Sequence, residues 1–222
     1  MEGARNLSAG VAPGGRFCIL ATMSRSRPSI ALLWLPLALI SAALVLRWFK
    51  LVSPGMNLLP NFSPWMALAF TGTLVMPRAL PWWVWPVAML GVNLAALGAG
   101  PALDPESLAI YGMYGIASFL ASRQRGTLSV AGALAGVVAC SLVFYVVTNT
   151  AAWLVEPAYV KSFTGWLQAQ TSGLPQYPPS WTFLRNSLFS DVGFSLALLC
   201  AFNVEARLRS ALPMPWMARA AA

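Results

Sequence analysis

The sequence predicts an all-α fold, a polytopic membrane bundle of about six transmembrane helices with the N and C termini cytoplasmic. Three observations carry this reading. Hydrophobic residues make up 58% of the chain and charged residues 9%, where soluble domains carry roughly 25% charge. Six apolar runs divide the chain, at 29–46, 62–76, 82–99, 108–121, 128–147 and 183–202. The basic residues fall mostly on one side of the alternating connections. The 222 residues suit a single bundle over 29–205, and no polar block is long enough for a second domain.

The run at 29–46 is long enough to cross a hydrocarbon core of about 30 Å as a helix. Residues 1–28 hold Gly, Ser and Arg without apolar periodicity and are expected to form a disordered basic tail. The leader Ser24-Arg25-Ser26-Arg27-Pro28 follows Met23, so a start at Met1 or at Met23 stays open. Ser41-Ala42-Ala43 loosely resembles a signal-peptide cleavage site. The uncleaved span supplies the parity that the later arginines require.

The run at 62–76 is short enough to be re-entrant, and so is the one at 108–121. Before it come Ser53-Pro54-Gly55 and Pro60-Asn61-Phe62-Ser63-Pro64. The prolines favour an extended approach, and Asn61 and Ser63 put side-chain acceptors near the first unpaired N–H groups of the helix. Irregular backbone at membrane depth needs protein or a wet cavity beside it. A capped helix start and a cavity wall are both consistent with this segment.

At the start of the third run, Pro81-Trp82-Trp83-Val84-Trp85-Pro86 beside Arg78 reads as an interfacial anchor. Asn93 lies further along the same run. Gly112, Gly115 and Ala117 in the fourth run and Gly132 and Gly136 in the fifth permit close helix packing. The long connection at 148–180 opens with Thr148-Asn149-Thr150-Ala151-Ala152-Trp153 and continues through Tyr159, Thr164, Gly165, Trp166, Gln168 and Gln170. Aromatic faces mixed with uncharged hydrogen-bonding groups suit a lid over a neutral or mildly polar ligand. An amphipathic helix on the membrane surface is the alternative for 157–170.

The sixth run contains Asp191. A carboxylate at such depth costs roughly 2.5–3.5 kcal/mol on insertion scales, so it should face protein or water. Ser187, Asp191 and Ser195 recur every four residues and form one polar stripe. Arg185, six residues away, is off that face. Partners must come from other helices, with Asn93 and Asn149 as first candidates. An interhelical hydrogen bond, a ligand contact and a proton site all remain open for Asp191. Residues 206–222 are expected to form a cytoplasmic basic tail.

With the N-terminus inside and all six runs crossing, Arg5, Arg16, Arg25, Arg27, Arg78, Arg123, Arg125, Arg207, Arg209 and Arg219 lie inside. Arg47, Lys50, Lys161 and Arg185 lie outside. That asymmetry follows the positive-inside rule. It also accounts for the net charge of +8 without nucleic acid, because the basic residues flank spans and do not alternate with exposed aromatics. The chain has no histidine and three cysteines, two of them within apolar runs, so neither a metal site nor a disulfide framework is expected. No cofactor is implied. With one acid read as buried, no acid/base pair or nucleophile–base set emerges, and the reading is non-enzymatic.

Together, Pro60-Asn61-Phe62-Ser63-Pro64 with Ala67-Leu68-Ala69, Thr148-Asn149 with Trp153, Tyr159 with Thr164-Gly165, and Asn186-Ser187 with Ser190-Asp191 carry a resemblance over about residues 45–205. The chain resembles uncharacterised bacterial six-span membrane proteins to which a transport role has been ascribed. These are similar in architecture to the substrate-binding S components of energy-coupling factor transporters. The resemblance implies a pocket closed from outside by the loops after the first, third and fifth spans. It further implies an energising membrane partner met through small residues of the first helix, here Ala38 and Ala42. Where that family tends to carry an acid at the end of the third span, this chain has Asn93-Leu94.

The expected function is therefore a small-molecule binding or transport component of the inner membrane, with Asn61, Asn93, Thr148, Asn149, Trp153 and Asp191 as ligand-binding candidates. A non-catalytic structural or assembly subunit of a membrane complex is the alternative.

Overall fold

The computed structural model describes residues 33–53 and 62–217, so the N-terminal tail and Asn61 lie outside the described residues. All regular structure among the described residues is helical. Helix α1 spans Trp34–Val52. Helix α2 covers residues 65–75, of which Ala67–Gly72 is a π-helical turn and Thr73–Val75 returns to α geometry. Helix α3 (Val84–Leu97) and the single turn α4 (Ala99–Ala102) follow. Next come α5 (Pro105–Arg123), α6 (Val130–Val155), α7 (Phe163–Gln170) and α8 (Ser180–Leu208). Helices α1, α6 and α8 are long and apolar enough to cross a bilayer, and α3 is a shorter apolar helix.

Local chemistry fixes several boundaries. Asp104 caps α5, its carboxylate accepting the Ser107 N–H at 2.7 Å with Pro105 at the first helical position. Ser129 caps α6 through the Gly132 N–H, and Ser162 caps α7 through the Gly165 N–H. Helices α1 and α2 have no such local side-chain cap. Acids from α8 serve both.

The principal helices alternate in direction. One end of the bundle gathers the start of α1, the end of α2, the α5–α6 connection and the end of α8. There, Trp34 and Leu35 N–H groups donate to Glu205, each at 2.9 Å, and Arg125 donates to the carbonyls of Thr73 and Leu80. The segment after α8 docks at this end too. Val130 and Ala131 at the start of α6 donate to the carbonyls of Pro215 and Trp216, while Asn203 holds Met214 through both its backbone N–H and its carbonyl.

Helix α2 forms the axis of the bundle. Every residue from Pro64 to Met76 is buried, and α1, α3, α5, α6 and α8 all pack against it. A helix apolar on every side belongs inside protein. At about 1.5 Å per residue its 11 residues reach about 16 Å, half a typical hydrocarbon core. Its Phe70 ring fits against Gly136 of α6, where an added Cβ would lie 2.4 Å from the ring. Gly132, one turn earlier, faces only side chains of its own chain neighbourhood, Leu128 and Ser129.

The tryptophans divide by role. Trp82 and Trp83 point outward, and Trp82 meets the ring of Phe119 edge to face. Trp85 is buried over Gly72.

Candidate functional site

The Asp191 carboxylate is 3% exposed and lies at the start of α2. Its Oδ1 accepts the Ala67 N–H at 3.2 Å, and its Oδ2 accepts the Ser141 hydroxyl at 2.8 Å. The first N–H groups of any helix lack intrahelical partners, and the positive end of the helix dipole favours an anion there. Asp191 thus caps α2 from a distant helix. The expectation that Asn61 and Ser63 would serve this helix start is corrected for Ser63, whose buried hydroxyl has no partner; Asn61 is outside the described residues. A carboxylate is the stronger acceptor for a backbone N–H, which explains the outcome.

The polar stripe of α8 continues into this contact. Thr71 donates its hydroxyl to Ser195 at 2.8 Å, and the Ala67–Asp191 and Thr71–Ser195 pairs have the same sequence offset of 124. Helices α2 and α8 therefore run side by side in parallel, in register over one turn. The π-helical turn of α2 falls within this stretch; such turns widen the backbone ladder and often mark functional positions.

The expected partners of Asp191 are corrected. Asn93 donates to the Tyr111 hydroxyl at 2.9 Å, and Tyr111 in turn donates to the Ala102 carbonyl. Asn149 donates to the Tyr145 carbonyl of its own helix at 2.9 Å. Thr148 likewise turns back on the carbonyls of Phe144 and Tyr145, and Trp153 donates to the Val160 carbonyl. Ser141, the contact from α6, sits about two turns before Thr148. The Thr148, Asn149 and Trp153 group thus organises the end of α6, where α7 docks through Trp166 and Gln170 on Thr150. No hydrogen bond among the described residues joins that group to Asp191.

A second set of residues, absent from the sequence expectations, surrounds the start of α2. The Arg47 guanidinium lies within electrostatic range of the Tyr111 and Tyr114 phenols, and Tyr114 within range of Asp191. Tyr114 stacks on Phe144 with ring centres 5.1 Å apart. Hydrogen bonds join Asn93 to Tyr111 and Ser141 to Asp191, and Arg47 and Tyr114 lie within electrostatic range of these pairs, so polar groups from five helices gather here. Two of their buried atoms, Arg47 Nε and Asn93 Oδ1, lack partners, as does the Oγ of Ser190, next to Asp191 in sequence. The Trp65 indole N–H at the start of α2 is unpartnered as well. Tyr111 and Tyr114, three residues apart in a run of small and aliphatic residues, are the signal that could have disclosed this cluster.

The far end of α2 carries a second buried charge. Arg125, 8% exposed, donates Nε to the Thr73 carbonyl at 2.7 Å and Nη2 to the Leu80 carbonyl at 3.0 Å. Asp191 is also not the only buried acid. Glu205 is 3% exposed, caps α1 and pairs with Arg209 at 3.0 Å.

Among the described residues no group of His, Cys, Asp and Glu could hold a metal ion. The arrangement defines a helical membrane protein whose central half-length helix ends on buried charges. The chain belongs to a family of unknown function, DUF6580, whose model matches residues 28–212. No curated protein and no solved structure matches it.

Proposed function

We propose that the chain is a multi-pass inner-membrane protein with six spans and cytoplasmic termini, and that it binds a small molecule as an S component does. The observation that carries this reading is the polar cluster around the start of α2, with Arg47 Nε, Asn93 Oδ1 and Ser190 Oγ buried and unpartnered. Leaving a buried polar group unsatisfied costs about 1–3 kcal/mol, so three in one cluster are best explained by a missing partner. The orientation has its own support. Arg78, Arg123, Arg125, Arg207 and Arg209 gather at the bundle end that holds the start of α1, and Arg47, Lys50, Lys161 and Arg185 lie toward the other. On that topology the cluster would lie in the outer half, and α1 presents Ala38 and Ala42 on an exposed face suited to a membrane partner.

The test is native mass spectrometry of the detergent-purified full chain. A small-molecule adduct that is retained by the wild type and lost in Asn93→Leu and Tyr114→Phe is expected. Adduct-free protein, together with no thermal shift across a broad metabolite panel, would sink the binding reading.

The assembly-subunit reading draws on a different observation: both oxygens of Asp191 are satisfied within the chain. That assigns Asp191 itself to holding the bundle. It leaves the unpartnered atoms beside it without an account.

A further inference from the structure

Among the described residues, the Arg47 guanidinium makes no ion pair. Arg47 is half-buried on α1 with its guanidinium within electrostatic range of Tyr111 and Tyr114, and its Nε is inaccessible and unpartnered. Lys50, one turn later, differs: its ammonium donates to the Phe62 carbonyl at 2.7 Å. Leaving an inaccessible guanidinium N–H without an acceptor is costly. The chain has only six acids, so the supply of counter-charges can be followed one by one.

Asp104 caps α5, the exposed Glu106 lies in the first turn of that helix, and Glu156 accepts from the Ala158 N–H. Glu205 pairs with Arg209, which is the one ion pair among the described residues. Asp191 accepts from the Ala67 N–H and the Ser141 hydroxyl. The remaining acid is Glu2, near the N-terminus and far from α1 in sequence, and residues 54–61, which connect α1 to α2, contain none. No acid among the described residues forms an ion pair with Arg47, and the sequence of residues 54–61 contains none.

We infer that the cluster takes a small organic carboxylate, whose anionic oxygens meet the Arg47 guanidinium while its ring or chain lies against Tyr111, Tyr114 and Trp65. This rests on the small-molecule reading above and names its ligand class. Arginine presents a planar fork of donors matched to a carboxylate. The unpartnered Ser190 hydroxyl and Asn93 Oδ1 can receive or supply the remaining hydrogen bonds of a polar substituent. Aromatic side chains with a few placed polar groups are the usual lining of such a site.

The experiment compares matched probes on the full chain in neutral, lipid-depleted detergent: benzoate and nicotinate against benzamide and nicotinamide, with phosphatidylglycerol as a separate arm. Thermal unfolding is read at rising probe concentration. The carboxylates should raise the Tm by several degrees at saturation and the amides should not. Arg47→Gln should abolish that shift while leaving the Tm of the free protein unchanged or higher, because an inaccessible N–H without an acceptor is removed. Arg47→Lys should keep part of the shift. Equal shifts from acids and amides that survive Arg47→Gln would overturn the carboxylate inference and leave the small-molecule reading standing. A shift from phosphatidylglycerol alone would overturn it in favour of a lipid headgroup. No shift in any arm would overturn it too, and the co-purified adduct would then decide the binding reading separately. A large drop in the Tm of free Arg47→Gln would mark the arginine as structural and also overturn the inference.

Discussion

Asp191 and Arg125 hold opposite ends of the same helix: the carboxylate accepts the Ala67 N–H at the start of α2, and the guanidinium donates to the Thr73 carbonyl at its end. Each charge has the sign that the helix dipole favours at its position. A helix of three turns is marginal alone, so these contacts and the surrounding burial are what keep α2 formed.

Asp191→Ala should therefore destabilise the protein by roughly 2–4 kcal/mol, since it leaves the Ala67 N–H and the Ser141 hydroxyl buried without an acceptor. Asp191→Asn keeps one acceptor oxygen and should cost about 1 kcal/mol. Thermal unfolding in detergent measures both. Equal Tm values for wild type and Asp191→Ala would refute the capping role.

Arg125→Leu should be as damaging as Asp191→Ala, because the carbonyls of Thr73 and Leu80 lose a shared donor. Arg125→Lys should fall between, since one ammonium cannot reproduce a planar fork reaching two carbonyls. Were Arg125 only a topological charge, lysine would match arginine in stability.

Gly136→Ala and Gly132→Ala should differ. The first places a methyl group 2.4 Å from the Phe70 ring and should cost about 1–3 kcal/mol. The second meets the flexible Leu128 side chain at 3.3 Å and should be close to neutral. Parallel Tm measurements on the two variants decide the matter, and equal losses would show that the α2–α6 contact does not set the difference.

Asn203→Ala should release the segment around Met214, which it holds by two hydrogen bonds. Faster amide exchange at Met214 and at Val130 and Ala131, whose N–H groups donate to Pro215 and Trp216, is the expected result. Unchanged exchange at Val130 would mean that the segment docks independently of Asn203.

The helices themselves were legible because apolar runs of span length have few other uses in a chain with 9% charge. Asp191 was legible as a cost that some partner had to offset. Its partners were not, because Ala67 offers only a backbone N–H, which no side-chain pattern reveals, and Ser141 is a single hydroxyl in an apolar run. Arg125 looks like every other loop arginine, so its burial is invisible until the chain is folded. Glu205 was hidden for the same reason: four residues before Arg209, it reads as an ordinary helix-surface pair. Thr148, Asn149 and Trp153 misled in the opposite direction. Polar groups at a helix end suggest a ligand, yet these bond mainly to backbone carbonyls of their own segment.

The remote capping of α2 has a consequence for biogenesis. Arg125 follows Thr73 by 52 residues and Asp191 follows Ala67 by 124, so both caps are synthesised after the helix they complete. When α2 first leaves the ribosome its two ends have no charge to rest on. Its final seat in the centre of the bundle must wait for α8, the last helix among the described residues, which makes closure of the bundle a late event that truncation before Asp191 would prevent.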